Sequence, residues 1–451
     1  MFIGRTQEIN FLEDYYNREK NDMMVVYGRR GIGKTELLRN FSKHKSCLYY
    51  TARECSEKEQ LLLMQREWME DYELASDELS YECLIKEATN RYSLLIFDEF
   101  HLILKNSSDF LMALLEALNG ISETKKLMII LCSSSVNWVE NDMVSSMGKG
   151  ALCISAFQKI KELTFPDIVT RFSNYSVEEC IKVYGILGGM PGYLNVWNDK
   201  RSVKDNILAL FLYKDGRFYH EAENFLKTEL RELALYNAIL SCLAQDKLKL
   251  NEIYEHTGFS RAKISVYIKN LIELDVVEKV FSYDTKGREN TKKGLYRIKD
   301  RFIHFWYRFV FPNLSRLESR KIEEVYQEKI EPVLDEYFSQ YFINVCQEYL
   351  ILVSDYNKLD FKIKRMGQWF GKEGNIDFIG TTSKGTYFIG MCKWNQLPFD
   401  EEDFEGLLNL VKQAQIEPDY YYLFSKNGFT SNLEVIARGM ENLVLTDLED
   451  L

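Results

Sequence analysis

The apolar positions of this chain follow two periods, and the change from one to the other marks its elements. Met23-Met24-Val25-Val26-Tyr27, Ser93-Leu94-Leu95-Ile96-Phe97 and Leu127-Met128-Ile129-Ile130-Leu131 are short, nearly unbroken apolar runs. Such runs suit strands buried on both faces of a parallel sheet, and Cys47-Leu48-Tyr49-Tyr50 adds a shorter one. Between them the spacing lengthens to three and four. Ile9, Leu12 and Tyr16 predict an N-terminal helix, Thr35 to Phe41 a second, and the stretch up to about Arg91 reads as helical.

From Leu230 to Phe309 the order changes. Leu235–Leu243 has an apolar helical face, Leu250 begins a second helix, and Gly258-Phe259-Ser260 supplies a turn and a cap. Ser260 to Leu274 is a third helix with Ile264, Ile268, Leu271 and Ile272 on one side. Val276–Val280 and Gly294–Ile298 alternate as the two strands of a hairpin. Three helices and a hairpin predict a winged helix-turn-helix. An aromatic-dense helix, Asp300–Val310, follows it and suits a domain-joining core. Further on, Val333–Val353 reads as a helix, Gly374–Gly380 and Thr386–Trp394 as strands, Phe404–Ala414 as a helix and Tyr420–Phe424 as a strand.

A chain of 451 residues with 46% hydrophobic residues is long enough for two to four domains with buried cores. Six prolines and no Ser/Gly-rich tract leave little room for long disordered linkers. The net charge of −11 argues against a protein coated in nucleic acid but permits one local basic face. Nine scattered cysteines form no C-x-x-C pair, which indicates a reducing, cytoplasmic setting without structural zinc. The sequence predicts neither a secretory signal nor a transmembrane helix.

The first strand enters Gly28-Arg29-Arg30-Gly31-Ile32-Gly33-Lys34-Thr35-Glu36, the spacing G-x-x-x-x-G-K-T between a strand and a helix. This is the phosphate-binding loop in its structural context. Glycines let backbone N–H groups approach phosphates, the helix N-terminus adds a favourable dipole, Lys34 reaches the β/γ oxygens and Thr35 offers its hydroxyl to Mg²⁺. About sixty residues on, Asp98 and Glu99 close an apolar strand. Asp98 suits the Mg²⁺ shell and Glu99 the water that attacks the γ-phosphate. Ser133, after the next strand, is a candidate γ-phosphate sensor; its other reading is a cap for the helix that follows.

These motifs resemble the prokaryotic ATPase family related to AAA+ and STAND proteins. The residues that carry the likeness are Phe2-Ile3-Gly4-Arg5 with Glu8, the glycine-rich loop, Ile96-Phe97-Asp98-Glu99-Phe100 and Gly188-Gly189-Met190-Pro191-Gly192-Tyr193-Leu194. The resemblance implies an α/β architecture of a P-loop NTPase core at 1–165, a helical lid at 166–229, a winged helix at 230–310 and a nuclease-like α/β domain at 311–451. It also implies that Phe2, Ile3 and Arg5 lie beside the nucleotide base and that Pro191 approaches the nucleotide from the lid. From the residues alone, the first segment is equally a helix cap, and Pro191 suits a helix start. One departure stands out. Where related chains carry an arginine after the sensor strand, this one reads Met147-Gly148-Lys149-Gly150-Ala151, so no arginine finger is identifiable and hydrolysis is expected to be slow or to await a partner.

Two further sites are expected. Arg261, Lys263 and Lys269 occupy the polar side of the third winged-helix segment, and Lys286, Arg288, Lys292, Lys293 and Arg297 crowd the wing. That local basic density suits duplex DNA, the alternative being a protein-packing module with solubilising lysines. The helix–hairpin–helix–strand pattern of the last region is similar to the restriction-endonuclease fold, whose active members carry an Asp on one strand and E-x-K on the next. Asp377 and Lys393 match, but Met391 and Ile343 stand where carboxylates are expected. Mg²⁺ needs hard oxygen ligands, so the domain reads as a degenerate nuclease with Asp377 and Lys393 as relics or an ion pair. The Asp400–Asp403 acidic run is a helix start or, less simply, a carboxylate donor. Expected cofactors are ATP and Mg²⁺; expected partners are ATP, double-stranded DNA, and a protein or a second copy of the chain, with no membrane. The leading reading is a nucleotide-dependent switch, and the alternatives are an ATP-regulated nuclease and a protein-binding scaffold for signalling or defence.

Overall fold

β1, Asp22–Tyr27, is buried along nearly its whole length because it lies inside a sheet covered on both faces. The computed structural model describes residues 3–68, 79–120, 126–283 and 294–451. The chain divides into two compact units, Met1–Leu163 with Met190–Asn195, and Thr164–Gly189 with Val196–Leu451.

In the first unit β1 joins β2 (Cys47–Thr51), β3 (Leu94–Asp98), β4 (Met128–Ser133) and β5 (Ile154–Lys159) in the order β2-β3-β4-β1-β5. All neighbouring pairs are parallel. Successive side chains of a strand point to opposite faces, and β1 shows this directly. Met23 and Val25 enter a core with Leu84, Phe97, Phe110 and Trp138, while Met24 and Val26 enter one with Leu12, Leu37 and Phe41. The sheet thus carries a core on each side, and the loops at the carboxyl ends of β1, β3 and β4 share one edge. β5 was not anticipated: it is an edge strand on which no position is fully buried, so it lacks the apolar run that marks the others.

The second unit begins with helices Phe165–Arg171 and Val177–Leu187 and continues through Val203–Leu212 and Glu221–Glu229. Helices Leu233–Leu243, Leu250–Thr257 and Arg261–Glu273 precede β6 (Val277–Val280) and β7 (Leu295–Ile298), which pair antiparallel. The winged helix is therefore present. The aromatic segment forms a core, as its density suggests. Phe211, Phe218, Phe302 and Phe305 pack with ring centroids 4.9 to 5.5 Å apart, and buried Trp306 donates its indole N–H to Tyr219 O at 2.9 Å.

The last region is a second five-stranded sheet, order β12-β11-β10-β9-β8. β8 (Ile363–Phe370), β9 (Asn375–Thr382) and β10 (Tyr387–Lys393) run antiparallel, and β10, β11 (Tyr420–Ser425) and β12 (Leu443–Thr446) run parallel. Helix Leu334–Asp355 packs on β9 and β10. β8 and β12 escaped the sequence reading because neither shows a buried apolar run. The helix expected from Phe404 begins at Glu401: Asp400 and Asp403 form a capping box that starts it one turn earlier. Across β9 and β10, Phe388 lies opposite Gly380 and Gly390 opposite Phe378. Each ring covers the glycine facing it, and a Cβ on either glycine would overlap that ring.

Candidate functional site

The loop after β1 is shaped by close approach. A Cβ on Gly28 would stand 2.7 Å from Ile160 O, and Gly33, the N-cap of helix Lys34–Ser42, has φ +92°, a region glycine adopts without strain. Lys34, 6% exposed, donates to Gly28 O at 2.7 Å and to Arg29 O at 3.1 Å. Gly192 N–H donates to Gly31 O at 3.0 Å, and Pro191 sits in van der Waals range of a Cβ built on Gly33. Arg5 is buried and braces the loop from the other side, donating to Ile32 O at 2.9 Å, Lys161 O at 2.8 Å and Glu8 at 2.9 Å. Ile3 and Arg29 are half-buried, Arg30 and Glu36 exposed. Phe2 lies outside the described residues.

Two carboxylates complete the edge. Asp98 Oδ2 accepts from Thr35 Oγ1 at 3.0 Å and from the Tyr49 hydroxyl at 2.7 Å, while Oδ1 accepts from Glu99 N–H at 3.1 Å. Burial, and then the Asp98 carboxylate, pushes the Tyr49 hydroxyl well up, so it remains a donor. Glu99 has φ +56°, the left-handed region that costs a non-glycine residue about 1–3 kcal/mol and that clusters at functional sites. Its Oε2 accepts from Ser134 N–H at 2.9 Å and Ser134 Oγ at 2.8 Å. Burial holds the His101 imidazole below its ordinary value, although Glu99, 3.4 Å away, pulls it the other way.

Ser133 takes a different place from its neighbour. It is fully buried, with Oγ 3.0 Å from His101 Nδ1. Tyr49, His101 and Ser134 went unnoticed in the sequence. The only available signal was the polar pair Ser133-Ser134 at a strand end, of which the second member reaches the glutamate. The donor set fits a magnesium nucleotide: a hydroxyl and a carboxylate of neighbouring elements lie in hydrogen-bond contact beside a glycine-rich loop. Among the described residues no group of three or more His, Cys, Asp or Glu side chains could hold a metal alone. Mg²⁺ bound through one or two protein oxygens plus phosphates needs no such group.

Residues 2–196 match the family model described as an ATPase domain predominantly from Archaea. Residues 2–196 are thus similar to an ATPase domain. Residues 237–279 match the bacterial regulatory protein model of the arsR family, and 306–406 match a model described as archaeal and bacterial proteins of unknown function. An uncharacterized protein of Methanocaldococcus jannaschii is 28% identical over 401 residues, covering 88% of each chain. An uncharacterized ATP-binding protein of the same organism is 42% identical over 45 residues, covering 10% of this chain and 76% of that one. Among solved structures, a Walker-type ATPase of Pyrococcus abyssi aligns at TM-score 0.49 and 17% identity over 68% of this chain and 96% of its own. The ORC2 protein of Aeropyrum pernix, in ADPNP and ADP complexes, aligns at 0.45 and 13% over 71% and 97%.

The other predicted sites fare unequally. On the winged helix, Ser260 caps helix Arg261–Glu273 through Lys263 N–H. Arg261, Lys263 and Lys269 are all exposed, with Arg261 also bonded to Asn251 at 3.0 Å and Lys269 3.5 Å from Glu273. Lys286, Arg288, Lys292 and Lys293 lie outside the described residues. Arg297 is not a solvated wing residue: it is half-buried and donates to Gln368 at 2.6 Å.

In the C-terminal sheet, Asp377 and Lys393, read as relics or an ion pair, each have other partners. Asp377 accepts from Cys392 N–H at 2.8 Å, and burial pushes its carboxyl up to about 6. Lys393 instead bonds Asp403 and Pro398 O and lies 3.9 Å from Asp400. The two residues occupy adjacent strands, but the lysine is drawn to the capping box of the following helix. Among the described residues no helix is long and apolar enough to cross a membrane.

Proposed function

We propose that this chain is an ATP-dependent molecular switch with slow, Mg²⁺-dependent hydrolysis, whose nucleotide state governs the engagement of duplex DNA by the winged helix. The four-part division 1–165, 166–229, 230–310 and 311–451 belongs to this reading. The observation that carries it is the paired state of Glu99, held on the Ser134 amide and hydroxyl in a left-handed backbone. Both donors sit on Oε2, so Ser134 fixes the orientation of the carboxylate and leaves only Oε1 to polarise a water, which favours holding nucleotide over turning it over.

The chain's own groups take distinct parts. The loop amides and Lys34 bind phosphate oxygens, Thr35 and Asp98 offer oxygens to the metal, and Tyr49 orients Asp98. The bound Mg²⁺ would offset charge developing on the phosphates. Exposed Arg261, Lys263 and Lys269 supply phosphate contacts to DNA. The nuclease alternative finds less support: Lys393 is committed to Asp403, and Met391 packs with the apolar core.

The test combines nucleotide binding with turnover, each with and without duplex DNA. Lys34→Ala should lose nucleotide binding. Glu99→Gln should keep binding and lose hydrolysis, and the parent should turn over slowly unless DNA is present. Rapid hydrolysis by the parent alone, or normal hydrolysis by Glu99→Gln, would sink the reading. Metal-dependent plasmid cleavage abolished by Asp377→Ala would favour the nuclease.

A further inference from the structure

Beside the winged helix, the second unit holds a cavity of about 1360 Å³ lined by Lys249, Arg261, Lys279, Arg297 and Lys372, with one carboxylate, Glu373. Five cations against one acid is a local reversal of a chain whose net charge is −11. Lys249 lies 4.0 Å from Glu252 and Arg297 feels the carboxylates of Glu278 and Asp246, but the direct contacts of Arg261, Lys279 and Arg297 are neutral. Arg261 meets Asn251 and the ring of Tyr254, Lys279 lies over the rings of Phe281 and Tyr296, and Arg297 meets Gln368 and the ring of Phe370. Glu373 is itself occupied, accepting from Gln413 at 2.5 Å. Tyr296 and Phe370, from β7 and β8, are half-exposed and bring aromatic faces into the same cavity.

We infer that this groove binds single-stranded nucleic acid. A concave site combining excess positive charge with aromatic faces is the arrangement that tracks a phosphodiester backbone and stacks its bases. A duplex keeps its bases paired and its backbone convex, so it offers rings no unstacked partner. Desolvation makes the charge of Arg297 costly, lowering its pKa from the ordinary value, and an incoming phosphate would relieve that cost. An acidic peptide could satisfy the cations but would make no use of the half-exposed rings of Tyr296 and Phe370. The inference needs neither ATP nor duplex contact by Lys263 and Lys269, which do not line the groove.

The test is fluorescence anisotropy of the full chain with labelled single strands of about 12 nucleotides, as DNA and as RNA, and with the matching duplex. Lys279→Glu with Lys372→Glu should weaken single-strand binding about tenfold or more and flatten its salt dependence. Tyr296→Ala should weaken it about fivefold or more through lost stacking. Duplex binding should survive these changes and fall instead with Lys263→Glu and Lys269→Glu. Retained nucleotide binding and an unchanged circular dichroism spectrum establish that the variants fold. Tighter binding of the DNA or the RNA strand identifies the source, and either supports the groove. Absence of single-strand binding would overturn it, as would binding insensitive to the groove variants, equal loss of duplex binding in those variants, or displacement by polyglutamate as effective as by unlabelled strand.

Discussion

Asp98 gathers donors from three elements: Thr35 from the loop helix, Tyr49 from β2 and the Glu99 amide. Glu99 is held in turn by Ser134. A hydrogen bond to a charged group contributes about 1.5–3 kcal/mol. Ser134→Ala removes the hydroxyl and keeps the amide, so basal hydrolysis should rise about tenfold or more, measured by phosphate release at saturating ATP; a fall would mean that the hydroxyl helps the active glutamate. Asp377 makes a pH prediction. Its carboxyl rises from 3.8 to about 6, so the folded chain keeps a proton that the unfolded chain has released. Stability therefore falls as pH climbs from about 4 to about 6 and stays lower above, by at most about 3 kcal/mol at 1.36 kcal/mol per unit. Asp377→Asn can still accept from Cys392 N–H and should be more stable than the parent at pH 8 by about 1–3 kcal/mol, but close to it at pH 4, read by calorimetry of the C-terminal transition. That the loop, Lys34, Asp98 and Glu99 meet at one edge of the sheet was legible, because each is marked by a local spacing. Ser133 ends β4 and turns inward to His101, and the residue after it reaches Glu99.

Among elements, β1, β3 and β4 were marked by runs buried on both faces and β6 and β7 by their alternation, whereas the missed strands, β5, β8 and β12, are partly exposed and carry neither pattern. Tyr49 sits in a recognised strand, yet its contact with Asp98 arises from the β2–β3 pairing, in which Thr51 lies opposite Asp98. No local pattern contains that register. The glycine–phenylalanine pairs across β9 and β10 are likewise non-local, and they make a sharp prediction. An alanine at Gly390 would put its methyl into the Phe378 ring and 2.5 Å from Tyr422 O. Overpacking of this kind costs about 1–3 kcal/mol or more, so Gly390→Ala should lower the denaturation midpoint of the C-terminal sheet and leave ATP binding by the first unit unchanged.

At the scale of the molecule, ATPase and winged-helix modules were legible because each has a sequence signature, while the aromatic density around Trp306 marked a core without naming its partners. Trp306 is fully buried and hydrogen-bonded. Trp306→Ala should cost the second unit about 3–5 kcal/mol, visible as an earlier transition in chemical denaturation. The division of the chain itself has a further consequence. Met190–Asn195 belongs to the first unit although the residues immediately before and after it belong to the second, and its Gly192 amide fastens to Gly31. A nascent chain that has emerged only as far as Leu163 has all five strands of its first sheet but not the segment that fastens the phosphate loop. At roughly 5–20 residues per second the ribosome needs a few seconds more to deliver it. The nucleotide site of this protein is therefore finished late, after part of the second unit has already left the tunnel.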